Sequence, residues 1–289
     1  MIISKIQPIF QRWSLKQGLQ ICIARAFNKF DMFNVYEKLN YEDKKYINLL
    51  TLGYLLKKKG KYIQIEKEGL KVNKVLLRKQ SSDIDVFIQI FVKDEFAGLF
   101  SLIDEKQKIK TVIDAGANVG ISSVMFDSAF PNISIIAIEP DYDNFSLLSK
   151  NLSLNKINSV TEQTGIWNKK ARLYFDRSFR DGKEWSITVT ETPNRGPFIE
   201  SLSINDIVDK YDLKTIDLLK IDIEGSEKQV FLDNDCSLDF LNKTRYIAIE
   251  LHHEVLKENK IEKILFEKGF LLKKSGEYLI GKNQNEFFN

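Results

Sequence analysis

The stretch Thr111 to Gly120, TVIDAGANVG, runs apolar into an acid and then breaks into a loop framed by Gly116 and Gly120. Val112 and Ile113 favour a strand, Asp114 stands where that strand emerges, and Ile121 to Phe126 reads as the helix that follows. Glycines in such a turn let the backbone approach a ligand closely. The spacing is G-x-x-x-G rather than the G-x-G-x-x-G of a dinucleotide loop. A carboxylate two residues ahead of Gly116 repels a pyrophosphate and favours a cationic ligand. The plain alternative is a tight strand-to-helix turn with no ligand at all.

Glu139 moves the balance towards a ligand. Ile135 to Ile138 forms a second buried run that ends in Glu139-Pro140-Asp141, and an acid at the tip of a second strand is placed to take a ribose diol through both oxygens. The pattern continues with a helix over Tyr142 to Asn155, a strand over Val160 to Thr164 and the exit Gly165-Ile166-Trp167. Alternation from Arg172 to Thr192 around Arg180-Asp181-Gly182-Lys183 predicts a hairpin near the mouth of a site. A helix over Ser203 to Lys210, a strand with its exit loop over Asp217 to Gly225 and a strand over Tyr246 to Leu251 follow. Then come a helix over Val255 to Lys268, stopped by Gly269, and paired strands Gly269 to Lys273 and Tyr278 to Gly281. Strand, glycine loop, helix, strand and acid in this order resemble the class I S-adenosylmethionine-dependent methyltransferases. That resemblance implies an α/β fold with a Rossmann-like seven-stranded sheet ending in a C-terminal antiparallel hairpin.

A second string, LLKIDIEGSE at residues 218–227, places charges inside an otherwise apolar run. Strand periodicity puts Lys220, Asp222 and Glu224 on one side and Ile221 and Ile223 on the other. Buried charges are costly unless paired or used, and ligands in open α/β sheets sit beyond the carboxyl ends of the strands. The run YIAIELHHE ends likewise in Glu250 and His252, with His253 facing away to the surface. The strings DAGANVG, IEP, KIDIEGSE and IELH, with the lead-in SSDIDVFIQIF at residues 81–91, resemble the FkbM family of methyltransferases. The resemblance implies methyl transfer from S-adenosylmethionine to a hydroxyl of a sugar, glycan precursor or secondary metabolite. It also implies that Asp114, Gly116, Asn118 and Gly120 hold the methionine end of the cofactor, that Glu139 holds its ribose, and that the loop at Gly165 and Ile166 faces its adenine.

Among the acceptor-side residues His252 is the candidate general base, since an imidazole titrates near neutrality and a hydroxyl must lose its proton as it attacks. Glu250 or Asp222 orients it. Lys220 neutralises the carboxylates, or a divalent cation on Asp222, Glu250 and neighbours binds the substrate oxygen. The plain rivals are a structural ion-pair network at the strand ends and a histidine that is merely hydrogen-bonded. Trp185 either lines an acceptor pocket or packs.

Charge is unevenly distributed along the 289 residues. The first 80 carry a net +11 and the rest −8. Residues 1–80 read as a small, mainly helical basic region, with Ile6, Ile9, Phe10 and Trp13 and then Leu19, Ile23, Phe27 and Phe30 at helical spacing; residues 81–289 read as the methyltransferase domain. The basic region either touches nucleic acid or an anionic membrane surface, or is a solvated lysine-rich face. Lys5, Arg12, Lys16 and Arg25 interrupt its apolar residues and leave no uninterrupted apolar core of the kind a signal peptide or membrane span needs. Two distant cysteines, Cys22 and Cys236, fit neither a disulfide framework nor a zinc site and accord with a cytoplasmic setting. Two further readings stay open: a nucleic-acid methyltransferase, although the fourth-strand exit lacks an N-P-P-Y-like turn, and a noncatalytic scaffold retaining the fold.

Overall fold

The computed structural model describes residues 40–67, 74–176, 188–252 and 259–285, with Gly18 and Cys22. The helical spacing read between Ile6 and Phe30, the turn at Arg180 to Lys183, Trp185 and His253 lie outside the described residues. The chain divides into two compact units, Met1–Ile84 and Asp85–Asn289.

In the first unit, helix α1 (Tyr41–Thr51) starts at Asn40, whose side chain accepts from the Asp43 amide and so satisfies a donor that a helix start leaves open. Tyr46, Ile47, Leu49 and Leu50 bury one side of it. Strand β1 (Tyr54–Lys59) pairs antiparallel with β2 (Tyr62–Lys67). Gly60, at φ +57°, supplies the positive φ that so short a hairpin loop demands. Strand β3 (Val75–Arg78) completes the sheet against β2. Asp83 closes the segment, accepting from the Arg78 amide at 2.7 Å and from its guanidinium.

Helix α2 (Asp83–Phe87) runs on into a π-helical turn, Ile88–Val92, and α3 (Ala97–Leu102) follows. Then β4 (Thr111–Ala115), α4 (Ile121–Ala129), β5 (Ser134–Ile138), α5 (Tyr142–Leu154) and β6 (Ser159–Glu162) alternate as the apolar pattern predicts. Asp141 caps α5, accepting from the amides of Asp143 and Asn144. Strands β7 (Gly165–Ile166), β8 (Arg172–Asp176), β9 (Thr188–Thr190) and β10 (Phe198–Leu202) precede α6 (Ile204–Lys210). The start of α6 is a capping box between Ser203 and Asp206. The rest is β11 (Ile216–Ile221), α7 (Glu227–Leu232), β12 (Thr244–Glu250), α8 (Lys260–Glu267), β13 (Phe270–Ser275) and β14 (Tyr278–Asn283).

The main sheet has seven strands in the order β13-β14-β12-β11-β4-β5-β6, all parallel except β14, which runs antiparallel to both neighbours. The expected α/β sheet with a terminal antiparallel hairpin is therefore present. Strand order reverses between β4 and β11, so their carboxyl ends open a crevice. One face of the sheet is covered through Ile207, Phe231, Phe240, Ile261 and Leu265. Aromatic packing joins α3, α4 and β14, with Phe96 centred 4.9 Å from Phe126 and 5.2 Å from Tyr278.

Two boundaries differ from the sequence pattern. The strand expected over Val160 to Thr164 stops at Glu162, because the Thr164 hydroxyl turns to donate to the Glu200 carbonyl at 2.6 Å and Gly165–Ile166 leaves to pair with β10. The two strands of the hairpin expected over Arg172 to Thr192, β8 and β9, do pair antiparallel, and β10 and β7 extend them to a four-stranded sheet in the order β7-β10-β8-β9. The helix expected from Val255 starts at Lys260, and residues 253–258 lie outside the described residues. No described helix is long and apolar enough to cross a membrane.

Candidate active site

A cavity of about 340 Å³ opens at the carboxyl ends of β4, β5 and β11. Its first wall is the β4 exit loop. The amides of Gly116 and Ala117 both donate to the Ile138 carbonyl, pinning the loop to the end of β5. Gly116 has φ +75°, and a Cβ there would stand 1.7 Å from the Asp222 carbonyl oxygen, so only glycine lets the β4 and β11 exits touch. Asn118 takes the left-handed conformation at φ 50°, one that asparagine adopts more readily than most residues. Its amide donates to Glu139 Oε2 at 2.9 Å, while its own side-chain oxygen is buried without a hydrogen-bond partner at the cavity wall. Gly120, at φ 84°, starts α4; a Cβ there would press on Leu148 at 2.7 Å, and the residue is not among those lining the cavity.

Asp114 also lies behind the wall. It is fully buried, and its Oδ2 accepts from the hydroxyls of Ser122 and Ser123, each at 2.6 Å. Its Oδ1 is 3.3 Å from Lys220 Nζ, which stands 3.3 Å from Asp222 Oδ2 and donates to the Gly116 carbonyl at 2.7 Å. Burial by itself would lower the Lys220 pKa, but Asp222 and Asp114 together raise it, so the ammonium stays charged. Lys220 thus ties β4, its exit loop and the β11 exit at one point. Glu139 does reach the cavity, and its second oxygen accepts from the Asp141 amide at 3.0 Å. Burial pushes its carboxyl up to about 7 against these hydrogen bonds. Gly165 and Ile166 line the same space.

The opposite wall is acidic. Strand β11 ends at Ile221, and Glu224 has φ 49°, so strand periodicity does not extend through Glu224 as the sequence pattern predicted. The turn instead carries Asp222 and Glu224 to the cavity, where Glu250 from the end of β12 joins them. His252 sits behind these groups with 1% of its side chain exposed. Its Nδ1 lies 2.9 Å from Glu227 Oε1, and its Nε2 lies 3.3 Å from Glu224 and 3.5 Å from Glu250 without making a hydrogen bond. Burial alone would lower His252; Glu224, Glu227 and Asp222 reverse this and hold it well above its ordinary value. Glu250 is pushed up by burial and by the Asp222 charge, with His252 pulling the other way.

Of the sequence-predicted residues, Gly116, Asn118, Glu139, Gly165, Ile166, Lys220, Asp222, Glu224 and Glu250 line one cavity; Asp114, Gly120 and His252 stand just behind it. Sequence reading missed Glu227, Tyr278, Glu95 and Glu277. Glu227 lies in the KIDIEGSE string, three residues past Glu224, but its partner His252 is 25 positions away. Tyr278 faces Glu250 in register across β12 and β14, and its hydroxyl reaches Asp222 Oδ2 at 3.3 Å. Burial, then the charges of Asp222 and Glu250, raise its phenol well above the ordinary value, so it remains a donor. Glu95 and Glu277 bring the lining carboxylates to six, against Lys220.

The orphaned Asn118 oxygen, the glycine that admits no Cβ and the buried Glu139 carboxylate fit a ligand with a cationic end and a vicinal diol, as S-adenosylmethionine has. Residues 114–272 match the Methyltransferase FkbM domain family. The chain is 26% identical to methyltransferase sdnD of Sordaria araneosa, over 55% of this chain and 73% of that protein. It is 24% identical to the 2-O-methyltransferase NoeI of Sinorhizobium fredii, over 64% of this chain and 76% of that one. A solved FkbM methyltransferase from Methylobacillus flagellatus aligns with TM-score 0.45 at 14% identity, covering 97% of this chain, which spans 58% of that protein. With the family match extending from the end of β4 to β13, the chain belongs to the FkbM methyltransferase family.

Proposed function

We propose that this chain is an S-adenosylmethionine-dependent O-methyltransferase whose acceptor is a hydroxyl of a sugar, glycan precursor or secondary metabolite, working in the cytoplasm. The observation that supports it is the cavity that joins a backbone-built wall at Gly116, Asn118 and Glu139 to an acidic wall at Asp222, Glu224 and Glu250. Bound there, S-adenosylmethionine supplies a methyl group on a sulfonium that leaves as a neutral thioether. Asn118 and the Gly116 turn hold the methionine end, with Asp114 acting at a remove by fixing Lys220 and the start of α4. Glu139 accepts from the ribose, and Gly165 and Ile166 face the adenine. Orienting the acceptor oxygen within reach of the methyl is the main work left to the chain. The hydroxyl proton passes to a carboxylate of the acidic wall at Asp222, Glu224 and Glu250, which His252, fixed by Glu227, braces from behind.

Oxygen as the methylated atom draws support from a relative named as a 2-O-methyltransferase. Six carboxylates around the cavity favour a neutral acceptor and repel a phosphodiester, which argues against nucleic acid. Calorimetry with S-adenosylmethionine, followed by labelled methyl transfer to glycan, metabolite and RNA pools, tests the reading. Micromolar binding with label in a hydroxyl-bearing glycan or metabolite is expected. Absence of cofactor binding overturns it, and binding with no transfer to any pool points to a noncatalytic role.

A further inference from the structure

We propose that Asp222, Glu250 and His252 form a site for one divalent transition-metal cation, with Glu227 fixing the imidazole from behind. One ligand atom from each of the three residues lies within 4.8 Å of the others, and His252 Nε2 stands 3.5 Å from Glu250 Oε1. A cation held at about 2.0–2.2 Å by carboxylate oxygen and imidazole nitrogen sets neighbouring donors roughly 3 Å apart, so a contraction of under 1 Å closes that pair on an ion.

The imidazole gives an independent indication. His252 is almost wholly buried, and its Nε2 makes no hydrogen bond although it points among carboxylates. Its other nitrogen is fixed by Glu227 Oε1 at 2.9 Å, and that same oxygen accepts from the Ile223 amide at 3.2 Å. A carboxylate on the far ring nitrogen is the arrangement that orients metal-bound histidines and sets which nitrogen faces the ion. Tyr278 steadies Asp222 from the other side.

Charge points the same way. Lys220 is shared between Asp114 and Asp222, while Glu227 and Glu250 both meet the one imidazole in a buried corner. A divalent cation offsets that excess where a solvated monovalent ion does not fit the donor set. Two carboxylates with one imidazole suit Mn²⁺, Fe²⁺ or Zn²⁺ better than Mg²⁺, which prefers an all-oxygen shell. Asp222 and Glu250 line the cavity, so the open coordination positions face it. On the O-methyltransferase reading above, on which this role rests, the acceptor hydroxyl occupies such a position. Its proton becomes more acidic there and leaves to Glu224, which lines the cavity outside the ligand set.

The test is a Mn²⁺ titration of the chelator-treated full chain, followed by electron paramagnetic resonance, without cofactor. Saturation at one Mn²⁺ per chain is expected, with binding at least tenfold weaker in Glu250→Gln and His252→Gln. Glu227→Gln keeps a hydrogen-bonding partner for Nδ1 and guards against loss of the fold; it is expected to weaken Mn²⁺ about 10-fold or more. No saturable binding below millimolar Mn²⁺, or binding unchanged in all three folded variants, overturns the site. Methyl transfer that survives chelation in a protein that takes up no Mn²⁺ overturns it too, and leaves the proposed function standing. Stoichiometric Mn²⁺ lost in the variants, in a protein that binds no S-adenosylmethionine, supports the site while overturning that function.

Discussion

The two walls of the cavity are built by different means. The wall at Gly116 to Gly120 is made of backbone: three residues at positive φ, two amides on one carbonyl and a glycine with no room for a methyl. The wall at Asp222, Glu224 and Glu250 is made of side-chain charge, delivered by the β11 exit and β12 and braced from α7 and β14. A backbone wall fixes shape and tolerates almost no substitution at its crossing point. A wall of charge fixes electrostatics, and its members shift one another's protonation, so it is sensitive to what it holds.

The largest effect is expected where the walls touch. Gly116→Ala forces a Cβ against the Asp222 carbonyl at a φ that alanine disfavours, and should destabilise the protein by roughly 3–5 kcal/mol in chemical denaturation. A loss under about 1 kcal/mol would break the claim that backbone geometry governs this wall. Next comes Lys220→Met, which keeps the apolar stem and leaves Asp114 and Asp222 buried without their cation. About 3 kcal/mol should be lost. The exposed pair of Lys214 and Asp212 gives the contrast, since its removal should leave stability nearly unchanged.

Legibility in the sequence follows the same division. The backbone wall is local: Asp114, Gly116, Asn118 and Gly120 lie within seven consecutive residues, and glycine types report directly on φ and close approach. The sheet was legible for the same reason, since each parallel strand is a short apolar run. Glu227 and Tyr278 were not, because their roles depend on residues 25 and 56 positions away brought together by strand order and β12–β14 register. Periodicity misled at Glu224, where the strand had already ended and a positive φ turned the chain. It also failed at Gly165, whose partner strand β10 lies some 36 residues downstream in register with Ser201.

Removing His252 separates the walls functionally. His252→Ala should lower turnover about 100-fold or more while leaving S-adenosylmethionine affinity within twofold, because the imidazole stands behind the acidic wall and touches none of Gly116, Asn118 or Glu139. Steady-state kinetics beside calorimetry reads the two quantities independently. Unchanged turnover removes His252 from the chemistry, and a matching loss of cofactor affinity means the walls act as one unit.

The smallest expected effect concerns the one titrating group of the backbone wall. Burial raises the Glu139 carboxyl to about 7, so between the ordinary carboxylate range and pH 7 the folded protein holds a proton there that the unfolded chain has released. The stabilisation from that proton is complete below the unfolded value and is lost as pH rises through about 7, so the ligand-free melting temperature should fall across that window on account of this group. Cofactor binding runs the other way. Ribose hydroxyls donate best to the ionised carboxylate, so binding expels the proton and affinity should rise with pH up to about 7, by at most tenfold per unit for one proton. Glu139→Gln should flatten both slopes and leave whatever the amino group of the cofactor contributes. Calorimetry of both proteins from pH 5.5 to 8 measures the difference. Parallel profiles would place the ribose away from Glu139 and return that carboxylate to its other evident task, holding the Asn118 and Asp141 amides in place.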